Sequence, residues 1–203
     1  MKKLLLPCIL ICLFLTGCDD MEEEFYEPGI IEDTEEPDFE SDFEETEEAS
    51  VQEDEEAESF TFTGHTLDGD EIDSGIFANS RLTMINVWGT YCGYCINEMP
   101  ELSELAGEYL KDDFQIYGMI ADVSENSDGA VLQNARDLVQ MTNADYPHIL
   151  LNDQLYDDLV QYSDALPTTY FFNSKGEQID SLVGALSKDD WRFVIDELLS
   201  ETE

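Results

Sequence analysis

Positive charge is what this 203-residue chain has least of: Lys and Arg number 8 and His 2, against 49 Asp and Glu, for a formal net charge of −41. A chain this acidic repels polyanions, so nucleic acid is excluded as a partner class. Long apolar runs are missing as well. The longest, Leu4 to Leu15, is interrupted by Pro7 and falls short of the roughly 20 residues that span a bilayer. Cysteine is sparse and unevenly placed. Of five, Cys8, Cys12 and Cys18 lie in the first 18 residues, and only Cys92 and Cys95 lie beyond. Two cysteines three residues apart are too close to staple distant segments, so they serve chemistry or a metal.

What is present at the N-terminus has the order of an export signal: Lys2 and Lys3, then the apolar stretch Leu4 to Leu15. It ends in Leu15-Thr16-Gly17-Cys18, which resembles the lipobox of bacterial lipoproteins. That resemblance implies a signal peptide over residues 1–17 and a diacylated Cys18 as the first mature residue, anchored to the cell membrane of a bacterium outside the cytoplasm. Asp19 to Glu58 then holds 22 of the acids and no Lys or Arg. It has too little aliphatic surface to offset its ordering entropy, so residues 18–58 read as a lipidated Cys plus an acidic, disordered tether. Fully stretched, the 40 residues from Asp19 to Glu58 reach roughly 130 Å. Phe25, Tyr26, Phe39 and Phe43 punctuate the tether and read either as a docking motif or as inert linker aromatics.

Residues 59–203 keep 27 acids and 6 bases and carry the folded pattern. Phe60 to Thr63 alternates like a strand, Leu67-Asp68-Gly69-Asp70 has turn residues, and Glu71-Ile72 can pair back to close a hairpin. Leu82 to Trp88 is a β-branched apolar run of the kind buried on both faces of a sheet. Cys92 to about Leu110 predicts a helix containing Pro100, and Phe114 to Ile120 a second buried strand. Further on come a helix from Gly129 to about Met141, a strand His148–Leu151 and a short helix Gln154–Tyr162. Strands Thr168–Phe172 and Gln178–Val183 flank an Asn173-Ser174-Lys175-Gly176 turn, and an amphipathic helix from Ser187 to Leu199 closes the chain with Ser187 as its cap. Such alternation argues an α/β domain around a mixed central sheet.

The sharpest signal is Trp88-Gly89-Thr90-Tyr91-Cys92-Gly93-Tyr94-Cys95, where a buried strand passes into a helix. Cysteines at i and i+3 face one side of the first helical turn, within bridging reach. Unpaired N–H groups and the positive end of the helix dipole favour a thiolate at the first of them. Cys92 is therefore the expected nucleophile and Cys95 the resolving thiol. A C-x-x-C is also half a zinc site, but the partners left would be His65, in the hairpin turn, and His148, beside Pro147. Neither is spaced as a ligand, and both read as surface or capped histidines, so no metal is expected. Asn86 stands inside an apolar strand and reads as a core amide bonded to backbone. Glu98, three residues after Cys95, is open to two readings, a proton carrier beside the thiols or a solvated helix acid. Trp88 and Tyr91 form either an apolar apron around Cys92 or ordinary packing.

With these residues in view, the segment from about Ser59 resembles the TlpA/ResA-like membrane-anchored thioredoxins of the redoxin superfamily. The resemblance rests on the hairpin with Leu67-Asp68-Gly69, on Asn86-Val87-Trp88 running into Gly89-Thr90-Tyr91-Cys92, on Glu98-Met99-Pro100, and on Leu166-Pro167-Thr168-Thr169 ahead of a strand and Gly176. It implies a thioredoxin fold with an N-terminal β-hairpin and a βα insertion over Ala121 to Tyr162. It further implies a cis Pro167 facing a redox disulfide Cys92–Cys95, the alternative being a trans proline at an edge strand. Trp88, Tyr91, Gly93, Tyr94 and Leu166 are then the substrate-facing residues, and Glu98 is an acid that tunes the thiols. Gly93-Tyr94 departs from the family, in which many members carry Pro just before the second Cys.

The implied activity is a thiol–disulfide oxidoreductase without cofactor, reducing disulfides in exported proteins with electrons from a membrane thiol carrier. The opposite direction, a disulfide-donating oxidase, is the alternative. A peroxidase lacks its Thr/Ser-x-x-Cys setting, since Gly89, Thr90 and Tyr91 precede Cys92. A non-catalytic copper chaperone of this fold uses a three-residue gap and a His ligand, and the gap here is two.

Overall fold

The computed structural model describes residues 58–202. The readings for 1–17, Cys18 and the tether up to residue 57, with its four aromatics, lie outside them. Within the described residues no helix is long and apolar enough to cross a membrane.

The chain opens with a short hairpin, β1 (Thr63–His65) against β2 (Glu71–Asp73), followed by a 3₁₀ turn, Ser74–Asn79. Then come β3 (Leu82–Trp88), α1 (Gly93–Ala106), β4 (Phe114–Ser124), α2 (Gly129–Thr142) and β5 (His148–Leu151). A short α3 (Asp153–Leu155) runs on into a π turn, Tyr156–Val160, ahead of β6 (Thr168–Asn173), β7 (Gln178–Val183) and α4 (Lys188–Glu201). Five strands form one mixed sheet in the order β5-β4-β3-β6-β7. β3 pairs in parallel with β4 and antiparallel with β6.

β3 is buried at all seven positions, which is why it reads as an unbroken apolar run. Its side chains alternate between two cores. Leu82, Met84 and Trp88 join Met99, Leu102 and Leu105 of α1, Ala135 of α2, and Trp191 and Ile195 of α4. Ile85 and Val87 face the other way, against Phe62, Phe77, Leu155, Leu159 and Phe172. Each large apolar side chain buried in this way contributes roughly 1.5–3 kcal/mol. With its helices on both faces and β3 at its centre, the sheet carries whatever follows β3 on a rigid base.

Several boundaries differ from the sequence expectation. The hairpin strand begins at Thr63 rather than Phe60, because Phe60 and Phe62 are drawn into an aromatic cluster with Phe77 and Phe172. Ring centroids there are 5.3 Å apart for Phe60–Phe172 and 4.8 Å for Phe77–Phe172. His65 is accordingly the last residue of β1, not part of the turn, and bonds Glu125 at 2.7 Å. α1 ends at Ala106, capped by the Gly107 N–H on the Glu104 and Leu105 carbonyls, and β4 runs on to Ser124. Gln154–Tyr162 is not one α-helix but the short α3 and its π turn. At α4 the expected cap is in place, the Asp190 N–H donating to Ser187 Oγ.

Candidate active site

The site stands at the C-terminal end of β3. Beyond Trp88 the chain makes a tight turn, closed by the Cys92 N–H donating to the Gly89 carbonyl at 3.0 Å, and enters α1. Cys92 is the N-cap of α1. Its Sγ accepts the Cys95 N–H at 3.2 Å, one of the donors a helix start leaves without an intrahelical partner. Cys92 and Cys95 form a disulfide with an S–S distance of 2.07 Å. Cys92 retains 7% exposure and Cys95 none, so a partner arriving from solvent meets Cys92 first.

Across from the disulfide runs the segment that enters β6. The Leu166–Pro167 peptide bond is cis, Pro167 is buried, and the Leu166 carbonyl oxygen lies 3.6 Å from Cys92 Sγ. Leu166 is half-buried and Gly93 exposed. Tyr91 and Tyr94 leave three-quarters of their surface in solvent, at 76% and 77%. These four residues lie in or beside the turn that presents the disulfide. Trp88, expected with them, does not join them: it is fully buried. Its position one residue before the turn keeps the β3 alternation, which sends its side chain inward.

Under the turn Trp88 Nε1 donates to His148 Nδ1 at 3.1 Å, and His148 Nε2 faces the Ala144 carbonyl at 3.3 Å. Nδ1 is thus the acceptor of a neutral imidazole, and burial holds its pKa down to about 4. The expectation of a surface or capped histidine gives way to a buried one, because Gly118 on β4 opens the space. A Cβ on Gly118 would stand 2.2 Å from His148 Nδ1.

Glu98 is buried, at 4% exposure, which rules out the solvated-acid reading. Its Oε1 accepts Asn86 Nδ2 at 3.0 Å, and Oε2 accepts Trp191 Nε1 at 3.3 Å and the Leu186 N–H at 3.4 Å. Burial pushes the carboxyl up to about 7 against the opposing pull of these three donors. Asn86 donates its second N–H to Thr169 Oγ1 at 3.0 Å, so its amide is held by side chains, not backbone, while its Oδ1 has no partner. The start of α4 docks on α1, Lys188 N–H donating to Glu101 at 2.7 Å, and this brings Leu186 and Trp191 to Glu98.

Sequence reasoning missed Trp191, Leu186 and Thr169, which reach Glu98 or Asn86 only through the fold. It also missed Asp122. The sole legible sign of Asp122 was a charge inside the apolar end of β4, Ile120-Ala121-Asp122-Val123. Among the described residues no group of three or more His, Cys, Asp or Glu is placed to hold a metal ion. A cavity of about 870 Å³ lies between the hairpin turn, α2 and the start of β5, and neither cysteine lines it.

A disulfide at the N-cap of the helix after a central strand is a specific arrangement, and comparison with known proteins agrees with it. The Redoxin family profile matches residues 52–177. The chain belongs to the redoxin family. Among similar sequences, the thiol-disulfide oxidoreductase ResA of Oceanobacillus iheyensis is 31% identical over 106 residues, covering 52% of this chain and 51% of that one. The thioredoxin-like protein YneN of Bacillus subtilis is 28% identical over 149 residues, 73% of this chain and 82% of its own. The chain spans about half the length of the ResA proteins it matches, 56% for that of Bacillus cereus. Among solved structures, the thiol:disulfide interchange protein of Chlorobium tepidum superposes with a TM-score of 0.59 at 21% identity, covering 70% of this chain and 96% of that one. That likeness establishes a thioredoxin fold for this redoxin.

Proposed function

We propose that this redoxin is an extracytoplasmic thiol–disulfide oxidoreductase, held to the membrane by a lipidated Cys18 and acting as a reductase of disulfides in exported proteins. The observation that carries the activity is the Cys92–Cys95 disulfide itself: its first cysteine caps α1 and is the more exposed of the two. In the reduced protein the Cys92 thiolate attacks one sulfur of a substrate disulfide. A Cys92–substrate bond forms, and the other substrate sulfur leaves as a thiolate. The Cys95 thiolate then attacks Cys92 Sγ, closes the internal disulfide and expels the second substrate thiolate. Two electrons pass from the dithiol to the substrate, and a membrane thiol carrier returns them.

Helix-terminal N–H groups and the dipole favour the thiolate at Cys92 over Cys95. Glu98, one turn along α1 from Cys95 and titrating at about 7, takes up the proton that Cys95 sheds before it resolves the mixed disulfide. The Leu166 carbonyl, Tyr91, Gly93 and Tyr94 supply the surface on which an extended substrate segment lies. The acidic tether of residues 18–58 gives the domain of residues 59–203 its reach from the membrane. The relatives' names, ResA as a thiol-disulfide oxidoreductase and the Chlorobium tepidum protein as a thiol:disulfide interchange protein, support the chemistry without fixing its direction. The test is the Cys92–Cys95 reduction potential, measured by equilibration with a thiol–disulfide buffer. A reductase falls near thioredoxin's roughly −270 mV, and a value above about −180 mV assigns the oxidase instead.

A further inference from the structure

We propose that Asp122 is a positioning residue for Cys92, its carboxylate clamping the Gly89–Tyr91 turn so that Cys92 is held at the N-cap of α1. The proposal rests on the thiol–disulfide exchange argued above.

The turn that presents Cys92 has little to hold it. Its one internal backbone bond is Cys92 N–H to the Gly89 carbonyl. The Thr90 N–H enters neither the sheet nor the helix ladder. It donates to Asp122 Oδ1 at 2.9 Å, and the Thr90 hydroxyl donates to Asp122 Oδ2. One carboxylate therefore grips Thr90 by backbone and side chain together, fixing both where it sits and how it is turned. Charge-assisted bonds of this kind are stronger than neutral ones.

Asp122 can do this because of where β4 places it. The parallel pairing of β3 with β4 ends at Trp88–Ile120, so Asp122 projects past the end of β3, level with the turn. Between Ile120 and Ser124 the β4–β5 register shifts, an irregularity that re-aims side chains. The anchor is thus a strand of the sheet, not another loop. Gly89, the residue before Thr90, is closely hemmed in. A Cβ on Gly89 would meet Leu166 Cδ1 at 3.2 Å and the Tyr91 ring at 3.1 Å, so the turn is packed against the Leu166 side of the site. Releasing Thr90 frees this packing and, with it, the placement of Cys92 Sγ on the Cys95 N–H.

Asp122 is exposed and has no ion-pair partner among the described residues, so its donors are those of the turn. From Thr90 to Glu98 the other ionisable side chains are Tyr91, Tyr94, Cys95 and Glu98, and residues 166–169 contribute none. The clamp and the bare charge of Asp122 push the Cys92 thiol in opposite directions. A clamp that keeps the sulfur on helix donors favours the thiolate, whereas a nearby carboxylate disfavours it. Their removal is therefore distinguishable by sign.

The experiment measures the rate of Cys92 alkylation by iodoacetamide against pH in the reduced full chain, with fragmentation to separate Cys92 from Cys95. Asp122→Ala should slow labelling at pH 7 about tenfold and move the profile about one pH unit toward alkaline. Asp122→Asn keeps an acceptor for the Thr90 N–H and a donor for its hydroxyl, and should restore the profile to within about twofold. A profile for Asp122→Ala that matches the unaltered protein overturns the proposal. So does an acid shift in both variants, which would mean that Asp122 acts by charge. Exchange with oxidised glutathione is followed alongside. If the unaltered protein exchanges while Asp122→Ala titrates normally, the clamp alone falls. If neither cysteine of the unaltered protein exchanges, the thiol–disulfide reading falls and takes the proposal with it.

Discussion

Replacing Glu98 by Gln should make the oxidised protein relatively more stable as pH rises, and the size of the effect follows from the burial of this one carboxyl. In the fold it titrates at about 7, against 4.5 as its ordinary value. Between those two pH values the folded chain keeps a proton that the unfolded chain has lost. Stability therefore falls with rising pH across that window, by about 1.4 kcal/mol per pH unit at most. Summed over the interval, the ionised carboxylate at pH 8 costs about 3 kcal/mol relative to the neutral acid at pH 4.5 and below. Gln carries no such charge. It cannot accept all three donors that reach Glu98, and that loss is the same at every pH. His148, pushed down to about 4 by burial, has the opposite dependence, losing its contribution as pH falls from 6.5, but it is common to both proteins and cancels. The assay is urea unfolding of the disulfide form, in which neither cysteine titrates, at pH 5 and pH 8. The difference between Glu98→Gln and the unaltered protein should move by about 2–3 kcal/mol in favour of Gln between those pH values. A difference flat to within about 0.5 kcal/mol, with unchanged m-values, would show that Glu98 titrates as a solvated acid, and its role as a proton carrier would be lost.

Gly118→Ala drives a methyl group into the His148 ring and should cost about 3 kcal/mol in urea unfolding, since neither β4 nor β5 can shift without breaking the ladder. A cost under about 0.5 kcal/mol would mean that the Trp88–His148 pair is loosely held. Cys18→Ser should release the protein from the membrane fraction; unchanged membrane association would refute the lipid anchor.

Much of the architecture was legible because it follows from local rules. β3 reads as a strand buried on both faces, Ser187 reads as a cap, and the C-x-x-C after a buried strand reads as a helix N-terminus carrying reactive sulfur. What escaped depends on contacts distant in sequence. Nothing near His148 shows that Trp88, sixty residues earlier, donates a hydrogen bond to it, or that a glycine on a third segment makes the room. Glu98 was ambiguous for the same reason, since a helix acid is solvated unless another element covers it, and the cover comes from Leu186 and Trp191. Trp88 was misplaced despite an available signal. It shares its parity along β3 with Met84 and Asn86, and the alternation of a central strand turns all three toward α1. The hairpin slipped by three residues because Phe60 and Phe62 fit a strand pattern equally well and gain more by joining the Phe77–Phe172 cluster.

The account turns on Cys92 being the sulfur that meets the substrate, and trapping tests this most directly. Cys95→Ser removes the resolving thiol, so a substrate caught by Cys92 cannot be released, and covalent mixed disulfides through Cys92 should accumulate and be identifiable by mass spectrometry. Cys92→Ser should capture almost nothing and lose turnover. Capture of partners by Cys92→Ser alone, or by neither variant, would contradict the claim.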